Sequence, residues 1–287
     1  MSRTRTGSFP IGFRRGGGPW QKDLDAVIAW AKANEFECLD VAGAEAVERT
    51  AAAGLAVGSA DLPDPRAMIS PDKAQRDAAV EAVGAYVRRC CGQARSFFCV
   101  MLPQKPELPR KENFGYMVDS YGRLMPVLAE CGARLVVEGW PGPGALCCTP
   151  ETYRAFFREM DSPAAGVNYD PSHLIRMGID PLRFLREFAD RVGHVHGKDT
   201  ELLDERLYEL GHEQPATFAP GIAFGGTSWR YTIPGHGVAR WGEILRILEA
   251  AGYQGRVSVE LEDAHFNGTE DGEKLGLLLA RRFLEGC

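Results

Sequence analysis

The sequence has eight cysteines in 287 residues but no CxxC motif. Two pairs are adjacent, Cys90–Cys91 and Cys147–Cys148, and Cys38, Cys99 and Cys131 sit in apolar stretches where thiols are usually buried. Nothing resembles a secreted disulfide framework, so a reducing, cytoplasmic setting is expected. No GxGxxG follows the first apolar run, because Gly16-Gly17-Gly18-Pro19 lacks that spacing, and there is no P-loop. No apolar run approaches the length of a membrane span. Arg14-Arg15 is followed by glycines and proline rather than an apolar segment, which argues against a secretion signal. Positive charge is also in deficit, with 33 Lys plus Arg against 39 Asp plus Glu and a net charge of -6. Such a surface does not attract phosphate backbones, so nucleic acid is not an expected partner.

What remains is a globular composition, 45% apolar and 25% charged, with a mean hydropathy of -0.22. That supports one large core. Short apolar runs alternate with amphipathic stretches almost to the end. The runs at 11–14, 37–41, 55–58, 97–102, 134–138, 166–169, 193–196 and 257–260 read as buried parallel strands. Between them, Leu24, Val27, Ile28 and Ala31 share one helical face. The same spacing recurs at Val83, Tyr86, Val87 and Cys90, at Tyr153, Phe156, Phe157 and Met160, and at Trp241, Ile244, Leu245 and Leu248. Further helices are expected at 44–53, 114–131, 181–189 and 272–285, with glycine stops at Gly132 and Gly252. Eight strands alternating with about eight helices predict a closed (β/α)8 barrel, an α/β fold formed by one domain over residues 1–287. An open doubly wound sheet is the alternative. The segment 200–237 carries six glycines and no clean period, so it reads as an inserted loop or lid between the last two strands.

In such a barrel, polar residues at the C-terminal ends of strands form the site. Four successive strands finish this way: Leu135-Val136-Val137 at Glu138, Val167-Asn168-Tyr169 at Asp170, His194-Val195 at His196, and Val257-Ser258-Val259 at Glu260. One acid after a strand is ordinarily a cap or a loop ion pair; four in succession are harder to reach by accident. Converging carboxylates would raise one another's pKa unless a cation joined them. Three carboxylates and an imidazole suit a divalent ion, Mn²⁺ first, with Mg²⁺, Co²⁺ and Zn²⁺ also fitting.

These residues, with His173 in Asp-Pro-Ser-His, Lys198 in His-Gly-Lys-Asp and the stretch Pro-Gly-His-Gly-Val-Ala-Arg-Trp, resemble the xylose isomerase-like barrel superfamily. Within it the nearest likeness is to the sugar phosphate isomerase/epimerase group of ketose 3-epimerases, hydroxypyruvate isomerases and inosose dehydratases. The resemblance implies that Glu138, Asp170, His196 and Glu260 hold the metal, and that Glu138 and Glu260 exchange protons with the substrate from opposite faces. It also places His173 against a substrate oxygen. Lys198 would orient the site or enter a salt bridge. Arg230 would stand in for an arginine that the ketose epimerases carry shortly after the metal histidine, where this chain has Thr200-Glu-Leu-Leu-Asp. Trp140 would stack on a sugar or pack a loop against the barrel rim.

The implied activity is isomerisation or epimerisation of a small ketose or polyol-derived ketone through an enediolate. The alternative is a lyase or dehydratase that cleaves a keto-sugar or keto-glycoside by β-elimination at the same centre. The expected partner is a small carbohydrate, with neither nucleic acid nor membrane, and a homo-oligomer stays open.

Overall fold

The computed structural model describes residues 2–212 and 215–287. Residues 213 and 214, which fall within the expected 200–237 insertion, lie outside the described residues. The strands are β1 (Ile11–Arg14), β2 (Cys38–Ala42), β3 (Ala56–Asp61), β4 (Ser96–Val100), β5 (Arg134–Glu138), β6 (Ala165–Tyr169), β7 (Val192–Gly197), β8 (Asp199–Leu202), β9 (Trp229–Thr232) and β10 (Val257–Val259). Eight of them close into a barrel in the order β1-β10-β7-β6-β5-β4-β3-β2, while β8 and β9 form a separate two-stranded sheet. The fold is therefore a (β/α)8 TIM barrel, and the open-sheet alternative falls. No described helix is long and apolar enough to cross a membrane.

The chain divides into two compact units. The first takes in Met1–Cys38, Asp170–Glu187 and His196–Cys287. In it, β1 pairs in parallel with β10, Phe13 opposite Val259. The helix Leu24–Ala33 starts at Asp23, whose carboxylate accepts from the amides of Asp25 and Ala26, and it buries the face Leu24, Val27, Ile28 and Ala31. Trp241–Ala250 buries Trp241, Ile244, Leu245 and Leu248 in the same manner. The helix Glu270–Glu285 closes the unit, with Leu277, Ala280 and Leu284 buried.

The segment expected to be irregular has more order than its sequence suggests. It holds the helix Asp204–Leu210 and the antiparallel pair β8–β9, with Thr200 opposite Tyr231. The two strands are four residues each and lie far apart in sequence, so neither a periodic pattern nor a hairpin turn announces them. Buried Asp199 fastens this ribbon. Its carboxylate accepts from the amides of Thr200 (2.8 Å), Ala239 (2.9 Å) and Gly235 (3.2 Å).

The second unit takes in Leu39–Tyr169 and Phe188–Val195. Here β3, β4, β5, β6 and β7 pair in parallel one after another. Four of the five residues of β5, and all five of β6, are buried, as expected of strands covered on both faces. A Cβ at Gly166 would meet the carbonyl oxygens of Arg191 (2.8 Å) and Leu135 (3.1 Å), so only glycine fits there. Helix Arg110–Glu130 ends into Gly132 at φ 58°, the left-handed stop that its sequence signals. Helix Pro150–Met160 begins with a reciprocal cap between Thr149 and Thr152.

Replacing Asp199 with alanine strands three buried amides at once. Asp199→Ala should destabilise the protein by about 3 kcal/mol, at an unsatisfied-donor cost of roughly 1–3 kcal/mol each and partial relief by water. A urea unfolding midpoint within error of the parent would refute that role.

Candidate metal and substrate centre

In the first unit the polar strand ends meet. Asp170 follows β6 and opens the helix Pro171–Arg176, with proline at its first position. Its Oδ1 accepts from the Ser172 amide at 2.8 Å, which fixes the carboxylate and turns Oδ2 toward His173 Nε2 at 3.3 Å. His196 lies near the end of β7, with Nδ1 3.3 Å from Glu260 Oε2. Lys198, two residues on, projects to the same side and is 1% exposed. Its ammonium sits 3.2 Å from Asp170 Oδ2, 2.5 Å from Glu260 Oε2, 3.0 Å from Glu262 Oε2 and 3.4 Å from His173 Nε2. Arg14, the last residue of β1, adds a guanidinium 3.3 Å from Glu260 Oε1.

Burial works to raise the pKa of Glu260. Lys198, His196 and Arg14 together outweigh it, and the carboxyl is held well below the usual range. It is therefore ionised at neutral pH. Tyr231, on β9, receives a hydrogen bond from Arg176 Nη1 (2.7 Å) and shares one with His173 Nδ1 (2.7 Å). Burial pushes its phenol pKa up, against the pull of Lys198 and Arg176, so the hydroxyl keeps its proton. The guanidinium of Arg176 also stacks 4.3 Å from the Trp229 ring.

In the second unit, Glu138 is the last residue of β5 and is buried. It lies opposite Asn168 of β6, whose amide donates to Glu138 Oε2 at 2.7 Å. Asp170 comes two residues after that asparagine in the chain. His194 has a different role from His196: its Nε2 pairs with Asp40 Oδ2 at 2.9 Å, and Asp40 Oδ1 accepts from the Ser59 amide. Both are buried, which fits a core histidine.

The other substrate candidates are more dispersed. Arg230 is engaged by Glu201 at 2.5 Å and lies 3.7 Å from Asp263. The Trp140 ring lies against Gly142 in the loop after β5, where a Cβ would overlap it. His212, His236 and His265 are exposed.

Sequence reasoning missed two contributors, Arg14 and Glu262, and could not place a third, Tyr231. Arg14 ends an apolar strand just as the acids end theirs, and that signal was available. Glu262 lies two residues beyond Glu260 and reaches Lys198. Tyr231 had no signal beyond being aromatic, because its place depends on the ribbon.

The donor set suits a divalent cation. Asp170, His173 and Glu260 each offer a ligand atom, all within 4.8 Å of one another, and they are carboxylate oxygens and an imidazole nitrogen. An ammonium already lies among the carboxylates, so the local field favours positive charge.

Among curated relatives, inosose dehydratase of Geobacillus thermodenitrificans (strain NG80-2) is 30% identical over 152 residues, 53% of this chain and 48% of the relative. The chain spans about half the length of the curated relatives it matches. Among solved structures, 3-keto-D-glucoside 4-epimerase from E. coli superposes with a TM-score of 0.67 at 17% identity, covering 96% of this chain and 99% of that one. D-psicose 3-epimerase from Clostridium cellulolyticum H10 gives 0.68 at 16% identity, covering 97% and 100%. These likenesses show the fold. The family model for a xylose isomerase-like TIM barrel matches residues 20–284, nearly the whole chain, and the protein belongs to that family.

Proposed function

We propose that the protein is a divalent-metal-dependent isomerase or epimerase of a small keto-sugar or polyol-derived ketone. Glu138, Asp170, His196 and Glu260 would hold the ion, Mn²⁺ by preference. One observation carries the reading: Asp170 and Glu260 offer ligand atoms within 4.8 Å of each other beside a buried positive charge, and His196 Nδ1 lies 3.3 Å from Glu260 Oε2. Asn168, bonded to Glu138 and two residues from Asp170, is what commends Glu138 as the further ligand. A bound divalent ion would supply Lewis-acid stabilisation to the oxygen that gains negative charge as the adjacent C–H ionises.

The remaining chemistry belongs to the chain. Glu260 stays ionised and can accept the proton from that carbon as general base. Glu138 would return a proton from the opposite face. His173, held by Tyr231, would bind a substrate hydroxyl, and Lys198 would give its ammonium to the developing oxyanion. Trp140 and Arg230 would border the substrate farther out. A cytoplasmic setting in carbohydrate metabolism follows from the same reading and from eight cysteines that are all free thiols.

A lyase is the second reading, favoured by the inosose dehydratase relative. The same carbanionic species can expel a β-substituent instead of being reprotonated.

Titration of metal-free protein with Mn²⁺ should give one ion per chain. Asp170→Asn and Glu260→Gln should each weaken it by more than about 100-fold, beyond the 10–100-fold typical of outer-shell changes. Unchanged calorimetric affinity in both variants would remove the metal proposal. With Mn²⁺ and a panel of ketoses in deuterated water, the parent should exchange the C–H proton next to the carbonyl. Glu260→Gln should slow that exchange about a thousandfold, within the ~10²–10⁴ range for a general base. Full exchange by metal-free protein would contradict the mechanism. NMR of the product separates the readings, since a stereoisomer supports epimerisation and an unsaturated ketone or released aglycone supports elimination.

A further inference from the structure

A cleft of about 400 Å³ opens beside Glu260 in the first unit. It is lined by Glu260 and Glu262 and not by the buried Asp170, His173, His196 and Lys198. Its volume lies within the ~300–1,000 Å³ of sites that take drug-sized ligands.

Three properties define what would fill it. The first is charge. Arg14 and Arg15 face Glu260, Glu262 and Glu273, two cations against three carboxylates. Arg14 is paired with Glu260, and Arg15 donates to the carbonyl oxygens of Gln21 and Lys22. A phosphate would find no surplus of positive charge there. The second is an aromatic face. Phe224 lies on the cleft and is 41% exposed, in a left-handed turn at φ 53°. An apolar ring beside carboxylates and guanidinium groups presents a flat surface to C–H bonds and polar partners to hydroxyls. The third is a rigid wall. Buried Glu273 accepts from Trp20 Nε1 (2.7 Å) and Gln21 Nε2 (3.0 Å), and Gln21 Oε1 accepts from the Gly16 amide. The glycine loop 16–18 is thus tied back and the cleft is preformed.

We infer that this cleft is a subsite for a second, uncharged sugar ring, so that the preferred substrate is a glycosylated ketose rather than a free or phosphorylated one. The inference rests on the keto-sugar reading of the centre and deepens it.

Gly17 offers a direct probe. It is exposed, its φ is not in the left-handed region, and a Cβ there meets nothing within 4 Å, so a side chain can be added without straining the loop. Gly17→Trp adds an indole to the cleft's wall. Phe224→Asn removes the aromatic face while keeping a residue that tolerates a left-handed turn. Calorimetry on the Mn²⁺-loaded full chain would compare isomaltulose, D-fructose and fructose 6-phosphate. The parent should bind isomaltulose at least tenfold tighter than fructose and gain nothing from the phosphate. Each variant should cut the isomaltulose-to-fructose ratio at least fivefold. The proposal is overturned by equal or undetectable binding of the two neutral sugars, by tighter binding of the phosphate, or by a preference that survives both substitutions. Proton exchange on the same sugars is read separately. A preference for isomaltulose without exchange would count against the reaction and for the subsite.

Discussion

A buried ammonium held among carboxylates is the constraint around which the first unit is organised. Lys198 is almost wholly removed from solvent, and an unpaired lysine in that position would lose its charge rather than stay desolvated. Asp170, Glu260 and Glu262 supply the compensation. They also overcompensate. Counting Arg14, two fixed cations face three carboxylates, with His173 and His196 adjoining. A cluster with that imbalance gains from any further positive charge, which is the electrostatic basis for reading it as a cation site rather than a structural ion-pair network. A structural network would gain nothing from excess acid, since replacing a buried ion pair by apolar side chains is often neutral or stabilising.

The same local devices that fold the chain aim these groups. Asp170 is at once a helix cap and a member of the cluster: one oxygen is committed to the Ser172 amide, and that commitment orients the other. His173 falls on the first turn of the helix that Asp170 caps, so three residues of spacing bring the two together. Tyr231 then holds the Nδ1 side of His173 from the ribbon. Asp199 works one step further back, satisfying amides on both sides of the ribbon without touching the cluster.

Most of the barrel was legible because its rules are local. The helices Leu24–Ala33 and Trp241–Ala250 bury the very residues that their periodicity singles out, and the strand 134–138 has the same bounds in sequence and structure. At the site, the alternation of side chains along an extended chain makes Lys198 and Glu262 readable from His196 and Glu260. The ribbon was not readable. Its strands are too short for a periodic signal and pair across about thirty residues, so the positions of Tyr231 and Arg230 are set by tertiary structure. Arg230, expected to face substrate, is engaged by Glu201 and lies near Asp263.

The proposed chemistry and the proposed selectivity therefore sit on different kinds of element. The charged cluster stands on strand ends and on a helix capped by one of its own members, where a shift of one residue would turn a side chain to the opposite face. The cleft beside Glu260 is walled by loops, the glycine segment 16–18 and the turn at Phe224, whose side chains can change without disturbing strand register. On the proposed function, a barrel built this way could keep one proton-transfer centre and still accept different substrates, because the groups proposed to polarise a ketone and those proposed to measure its size answer to separate structural constraints. Glu260 belongs to both, facing the ammonium on one side and the cleft on the other. Any substrate large enough to use the cleft is therefore positioned by the residue that would take its proton.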